Sequence, residues 1–100
     1  MQTLSDRPLV EINGALAADT LAYYWTKNGR GPTWSEFADV MDWPRQDADK
    51  IIRLLAQDGW LRFKKYPRSL HPGTRNPEAR RRYEQFQAAR KRARKAATDA

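Results

Sequence analysis

The sequence predicts a mainly α-helical chain with one small β-hairpin, and three observations carry that prediction. Apolar residues recur at three- and four-residue spacing in successive stretches of the first 58 residues. Glycine or proline punctuates each stretch. A partly alternating segment, 60–66, then follows Gly59 and ends in a turn signal. At 100 residues and 40 % hydrophobic, the chain is sized for one modest core and a tail. It divides into an N-terminal arm (1–13), a domain (14–75) and a basic C-terminal helix or tail (76–100).

In the arm, Leu9, Val10 and Ile12 fit a short strand or an extended segment. Asn13 fits an N-cap, because its side chain can accept from the first orphan amides of a helix. Leu16, Ala17, Leu21, Tyr24 and Trp25 then follow at helical spacing, and Asn28-Gly29 tolerates the left-handed stop, giving a first helix over 14–28. After the turn Arg30-Gly31-Pro32, Thr33-Trp34-Ser35-Glu36 matches a capping box and starts a second helix over 34–41, with Phe37, Val40 and Met41 inward. Asp42-Trp43-Pro44 ends it, since the residue before proline is pushed out of the helical region. Pro44 suits the first position of a third helix over 45–58, whose inward face is Ala48, Ile51, Ile52 and Leu55, with Leu54 at its edge. Past Gly59, Leu61 and Phe63 alternate with Arg62 and Lys64. Pro67-Arg68-Ser69 turns, and Leu70-His71 begins a return strand that Pro72-Gly73 stops.

Asn76-Pro77-Glu78 combines an N-cap, a first-position proline and a first-turn acid. The helix it starts extends to about residue 97, roughly 30 Å. Ala79, Tyr83, Phe86 and Ala93 share a stripe, so Tyr83 and Phe86 are its anchors on the domain or on a second copy. The run Arg90-Lys91-Arg92-Ala93-Arg94-Lys95 has no comparable anchor.

The formal net charge is +7. Residues 1–58 hold six basic and nine acidic side chains, a net −3. Residues 59–100 hold thirteen basic and three acidic, a net +10. Such asymmetry is a prior for an anionic partner. With no Cys and one His, disulfides, thiolate metal sites and the common zinc sites are excluded. No cofactor or metal is implied. No apolar run reaches the roughly 18 residues of a membrane span, and the first residues lack the basic start and apolar stretch of a secretory signal. No nucleophile is paired with a base, so a non-enzyme is expected.

The order helix, short capped helix, turn, amphipathic helix, glycine, basic hairpin resembles the winged helix-turn-helix superfamily. Gly31-Pro32-Thr33-Trp34-Ser35-Glu36-Phe37-Ala38 is similar to the start of such domains. Leu54-Leu55-Ala56-Gln57-Asp58-Gly59-Trp60-Leu61 is similar to their step from recognition helix into wing. The LexA-type repressor domain has the same order; the resemblance covers residues 14–73, with no room for a protease domain. Two departures stand out: Asp47 and Asp49 lie in the third helix, and Trp43 fills a turn where a small residue is usual.

The resemblance implies double-stranded DNA as partner, with the third helix in the major groove. Arg45, Gln46, Asp49, Lys50 and Arg53 would face the bases; the alternative for Asp49 and Arg53 is an i,i+4 ion pair. Thr33 and Ser35 at the second helix's start would hold a phosphate, or Thr33 would only cap. Lys64, Lys65, Arg68 and Arg75 would set the wing on the backbone or in the minor groove, and Arg80, Arg81, Arg82 and the 90–95 cluster would add phosphate contacts. These features imply a transcriptional regulator, and the Arg- and Ala-rich but Lys-poor composition suggests a GC-rich source, a bacterium or its phage, with action in the cytoplasm of the cell or the infected host. A homodimer and a protein partner remain open. The alternatives are a winged-helix protein-interaction module, assembling or docking through helix 77–97, and an RNA-binding protein.

Overall fold

The computed structural model describes the backbone of residues 3–99 and the side chains of residues 14–96. Four helices and a two-stranded antiparallel sheet follow in the order α1 (Thr3–Asn28), α2 (Trp34–Met41), α3 (Arg45–Gln57), β1 (Leu61–Arg62), β2 (His71–Pro72) and α4 (Pro77–Asp99). The sheet register pairs Leu61 with Pro72 and Arg62 with His71.

α1 begins at Thr3, so the backbone of the predicted arm is helical and continuous with the first helix, and Asn13 lies inside the helix instead of capping it. α2 keeps its predicted bounds. The Glu36 amide donates to Thr33 Oγ1 at 3.1 Å while the Glu36 carboxylate accepts from the Thr33 amide at 3.0 Å. Asp42, with φ 59°, closes α2 in the left-handed conformation. Pro44 sits at the N-cap of α3 rather than at its first position. Between them Trp43 turns its ring edge-on to Phe37, with centroids 5.5 Å apart, so the bulky turn residue is a core contact.

The main core joins Ala17 and Leu21 of α1, Phe37 of α2, Ile52 and Leu55 of α3, and Leu61 and Leu70 around the hairpin, all fully buried. Removing this apolar surface from water is the main force holding α1, α3 and the hairpin together. Two expected inward residues differ: Leu16 and Val40 are half exposed. α1 has a second buried stripe one residue on, where Ala18 and Ala22 receive Ala79 of α4. The hairpin is shorter than predicted. Phe63 and Lys64 lie outside it, while Pro72 belongs to it, which a two-stranded sheet permits because both strands are edges.

α4 runs parallel to α1. Asn76 Nδ2 donates to the Ala15 carbonyl and the Asp19 carboxylate, each at 3.1 Å, and its Oδ1 accepts from the Ala79 amide as the expected N-cap. One turn on, Ala79 meets Ala18 and Ala22. Another turn on, Tyr83 crosses Trp25 edge-on at 5.2 Å. Both helices advance together, so α4 outruns α1 after Phe86. At 1.5 Å per residue, α1 is about 39 Å long and the overhang of α4 about 20 Å. Together they account for the 60 Å long axis, against 24 and 21 Å across.

Candidate nucleic-acid interface

Trp34, the first residue of α2, brings three elements to one surface. Phe63, just past β1, meets its ring edge-on at 4.9 Å. The Arg53 guanidinium of α3 lies over the same ring, 5.4 Å from the centroid, within cation–π range. The start of α2, the outer face of α3 and the hairpin are thus neighbours. On that face Arg45, Gln46, Asp49, Lys50 and Arg53 are all exposed, because Ala48, Ile52 and Leu55 take the buried side.

Much of the positive charge is answered internally. Arg45 donates two bonds to Asp39, at 2.9 and 3.3 Å. This pairing holds the Asp39 carboxyl below its ordinary value and raises the guanidinium. Arg53 pairs with Asp49 at 3.0 Å, which is the i,i+4 alternative weighed for that helix face. Arg80 pairs with Glu84 at 2.8 Å, and Arg81 and Arg82 both approach Glu78. Arg75 covers the Trp60 ring at 4.8 Å and donates to the Asp58 carbonyl. Pairs this exposed contribute little and exchange readily for another anion.

Arg68 is held differently. Its guanidinium forks onto Glu36 at 2.8 and 3.2 Å and donates to the Gly31 carbonyl at 3.0 Å. The Arg68 bonds first, then the Thr33 amide, hold the Glu36 carboxyl at about 2, well below the ordinary carboxylate range. Arg68, read from sequence as a phosphate contact, and Thr33, for which a cap was the alternative to a phosphate contact, therefore spend their polar groups within the fold. Ser35 is exposed on the first turn of α2.

The exposed cations with no ion-pair partner among the described residues include a group near the hairpin. Lys50 stands on α3, and Arg62, Lys64 and Lys65 on β1 and the turn after it. That turn is pinned by buried Ser69, whose hydroxyl accepts from the Lys64 amide at 2.8 Å and donates to the Lys64 carbonyl at 2.9 Å. Arg62 was not singled out by the sequence reading, although it occupies the outward position of the 60–66 alternation. Nor were Asp39 and Glu36 recognised as counter-charges, since their partners lie six and thirty-two residues away.

Among the described residues no cluster of three His, Asp or Glu side chains is arranged to hold a metal ion, and no helix is long and apolar enough to cross a membrane. Comparison with protein-family models, with curated proteins and with solved structures gives no match to this chain.

Proposed function

We propose that this chain is a small duplex-DNA-binding protein of winged helix-turn-helix type, a transcriptional regulator of a bacterium or phage. The observation that carries the reading is the junction at Trp34, where the outer face of α3 and the basic hairpin turn share one surface with the start of α2. A helix and a flanking basic hairpin on one side match a major groove and its adjoining backbone. In this reading Gln46, Lys50 and Arg53 face base edges, and Arg45 joins them by exchanging Asp39 for DNA. Arg62, Lys64 and Lys65 neutralise phosphates, and the overhanging end of α4 supplies further cations.

Neutralising about six phosphates gives a slope of about −5 for log K against log salt. Fluorescence anisotropy with labelled duplexes, after selection from a random duplex library, tests this. A recovered consensus with that slope supports the reading, and a flat salt dependence overturns it. One observation favours a second reading, docking of a protein partner on α3. Both arginines of its outer face already carry aspartate counter-charges. Library selection with no consensus, together with a stoichiometric complex in pull-down that Lys50→Glu abolishes, would favour that second reading.

A further inference from the structure

Where the hairpin turn meets α1 and α4, the surface sinks into a cleft of about 250 Å³. Its walls are aromatic. Trp25 and Tyr83 cross edge-on at 5.2 Å, and the His71 ring stacks on Tyr83 with centroids 5.3 Å apart and planes at 19°. Tyr66, 59 % exposed, stands at the mouth.

Two cations with uncommitted donors reach the same space. Arg80 gives Nε to Glu84 and Nη1 to the Pro72 carbonyl and lies over the Tyr83 ring, 5.7 Å from its centroid, which leaves Nη2. Lys64 has no ion-pair partner among the described residues. The His71 Nδ1–H donates to the Ser69 carbonyl at 2.7 Å, so the neutral ring keeps a lone pair on Nε2. No carboxylate lines the cleft. Flat π-faces beside unspent cationic donors are the chemistry that holds a base and its phosphate. At roughly 30 Å³ per water the space equals about eight waters, below the roughly 300 Å³ where drug-sized pockets begin. One ring and one phosphate are the scale it admits.

We propose that this cleft binds a single nucleotide unit, with the phosphate between Lys64 and Arg80 and the base against the exposed ring of Tyr66. A free mononucleotide and an unpaired nucleotide of a strand present the same chemistry. The proposal does not rest on duplex binding through α3; the two surfaces share only Lys64.

His71 is the sole histidine of the chain, and it reports on the cleft. Burial holds its imidazole below the ordinary value, and the charges of Arg80, Arg62 and Lys64 push the same way against the Ser69 carbonyl. Arg68 on this side is answered by Glu36, and Arg80 in part by Glu84. A phosphate among these cations raises the His71 midpoint.

The experiment is a proton NMR pH titration of the untagged full chain with inorganic phosphate, adenosine monophosphate and a short single strand of thymidylates. The His71 ring signals should shift saturably and its midpoint rise. Adenosine monophosphate should saturate at a concentration at least about fivefold lower than phosphate, because the base adds stacking. Tyr66→Ala should remove that advantage and leave phosphate binding. Lys64→Gln, at an exposed position, should weaken both several-fold with the thermal midpoint unchanged. Tighter binding of the strand than of the mononucleotide assigns the site to a strand, and the reverse to a free nucleotide; both support the cleft. His71 signals unmoved by all three probes up to about 10 mM, a concentration that would reveal even millimolar binding, overturn the proposal. So does an unchanged response in the Lys64→Gln protein.

Discussion

Arg68 and Glu36 face each other as a fork on a fork, with guanidinium nitrogens 2.8 and 3.2 Å from the two carboxylate oxygens. The pair ties the hairpin turn to the first turn of α2 across thirty-two residues of sequence. It also holds Arg68 at φ 61°, a left-handed conformation rare for a residue with a side chain. Tyr24 Oη donates to the same carboxylate at 3.3 Å, which adds α1 to the junction. Glu36 is therefore at once the capping residue of α2 and the anchor of the turn.

A pH dependence follows from that double role. The Glu36 carboxyl lies at about 2 in the folded chain against an ordinary 4.5. A carboxylate whose folded value is depressed contributes stability that is complete above its unfolded value and disappears as pH falls through the folded one. The contribution is thus full above about pH 5 and fades between 4.5 and about 2. Urea midpoints measured from pH 6 to 2 should fall across this window. Glu36→Gln should flatten the fall and start from a lower midpoint, because the glutamine keeps a capping oxygen and loses the charge. A variant as steep as the parent would assign the slope to other carboxylates.

The base of the hairpin makes a second, purely steric prediction. The Gly73 amide donates to the Trp60 carbonyl at 2.8 Å and the Arg75 amide to the Gly59 carbonyl at 3.1 Å, which draws the two glycine backbones together. A Cβ on Gly73 would overlap the carbonyl of Gly59, a backbone atom with no rotamer to escape into. Gly73→Ala should destabilise the chain by about 1–3 kcal/mol, the cost of overpacking. For a domain of this size that corresponds to a thermal midpoint lower by at least about 4 °C. Differential scanning calorimetry reads it, and an unchanged midpoint would mean that the strands separate freely here.

Asp39 and Arg45 separate the DNA reading from the protein-docking one. In the chain alone the Arg45 guanidinium is occupied by Asp39. If α3 faces DNA, Asp39→Asn removes a repelling charge and releases a cation, so duplex affinity should rise several-fold. Arg45→Ala should lower affinity for a preferred sequence by about 1–3 kcal/mol and for random duplex much less. Equal losses on both would move Arg45 to a phosphate. No change in either variant would remove α3 from the interface.

The short-range features were legible in the sequence because their causes are local. The Thr33–Glu36 capping box, the Asn76 cap with Pro77 and the α3 face Ala48, Ile52 and Leu55 need only spacing. The second buried stripe of α1 escaped because Ala18 and Ala22 lie one residue past the face that Ala17 and Leu21 define, and only the docking of α4 buries them. Leu16 fits the inward face by hydropathy alone and faces out. Residues 3–13 carry no periodicity that separates strand from helix. The charge count located the basic portion of the chain, but only the fold shows that Arg68, Arg80, Arg81 and Arg82 meet carboxylates. That moves the weight of any phosphate contact to Lys50, Arg62, Lys64 and Lys65 and to the overhang of α4.

The overhang of α4 makes the last prediction. Tyr83 meets Trp25 of α1, Phe86 one turn on is half-buried, and residues 91–96 are all exposed. Among the described residues no buried core residue lies beyond Ala79. Ending the chain after Ala89 removes Arg90, Lys91, Arg92, Arg94 and Lys95 and leaves that core intact. The urea midpoint should therefore hold, while circular dichroism loses the helical signal of about ten residues. Duplex binding should respond in the opposite sense. If these five side chains lie on phosphates, the salt slope should shrink by up to about 4.5, at roughly 0.9 per contact. A truncated chain with an unchanged slope would assign the duplex contact to α3 and the hairpin alone. One that also lost its urea midpoint would show that the overhang packs against the domain, against the parallel register that Asn76, Ala79 and Tyr83 set on α1.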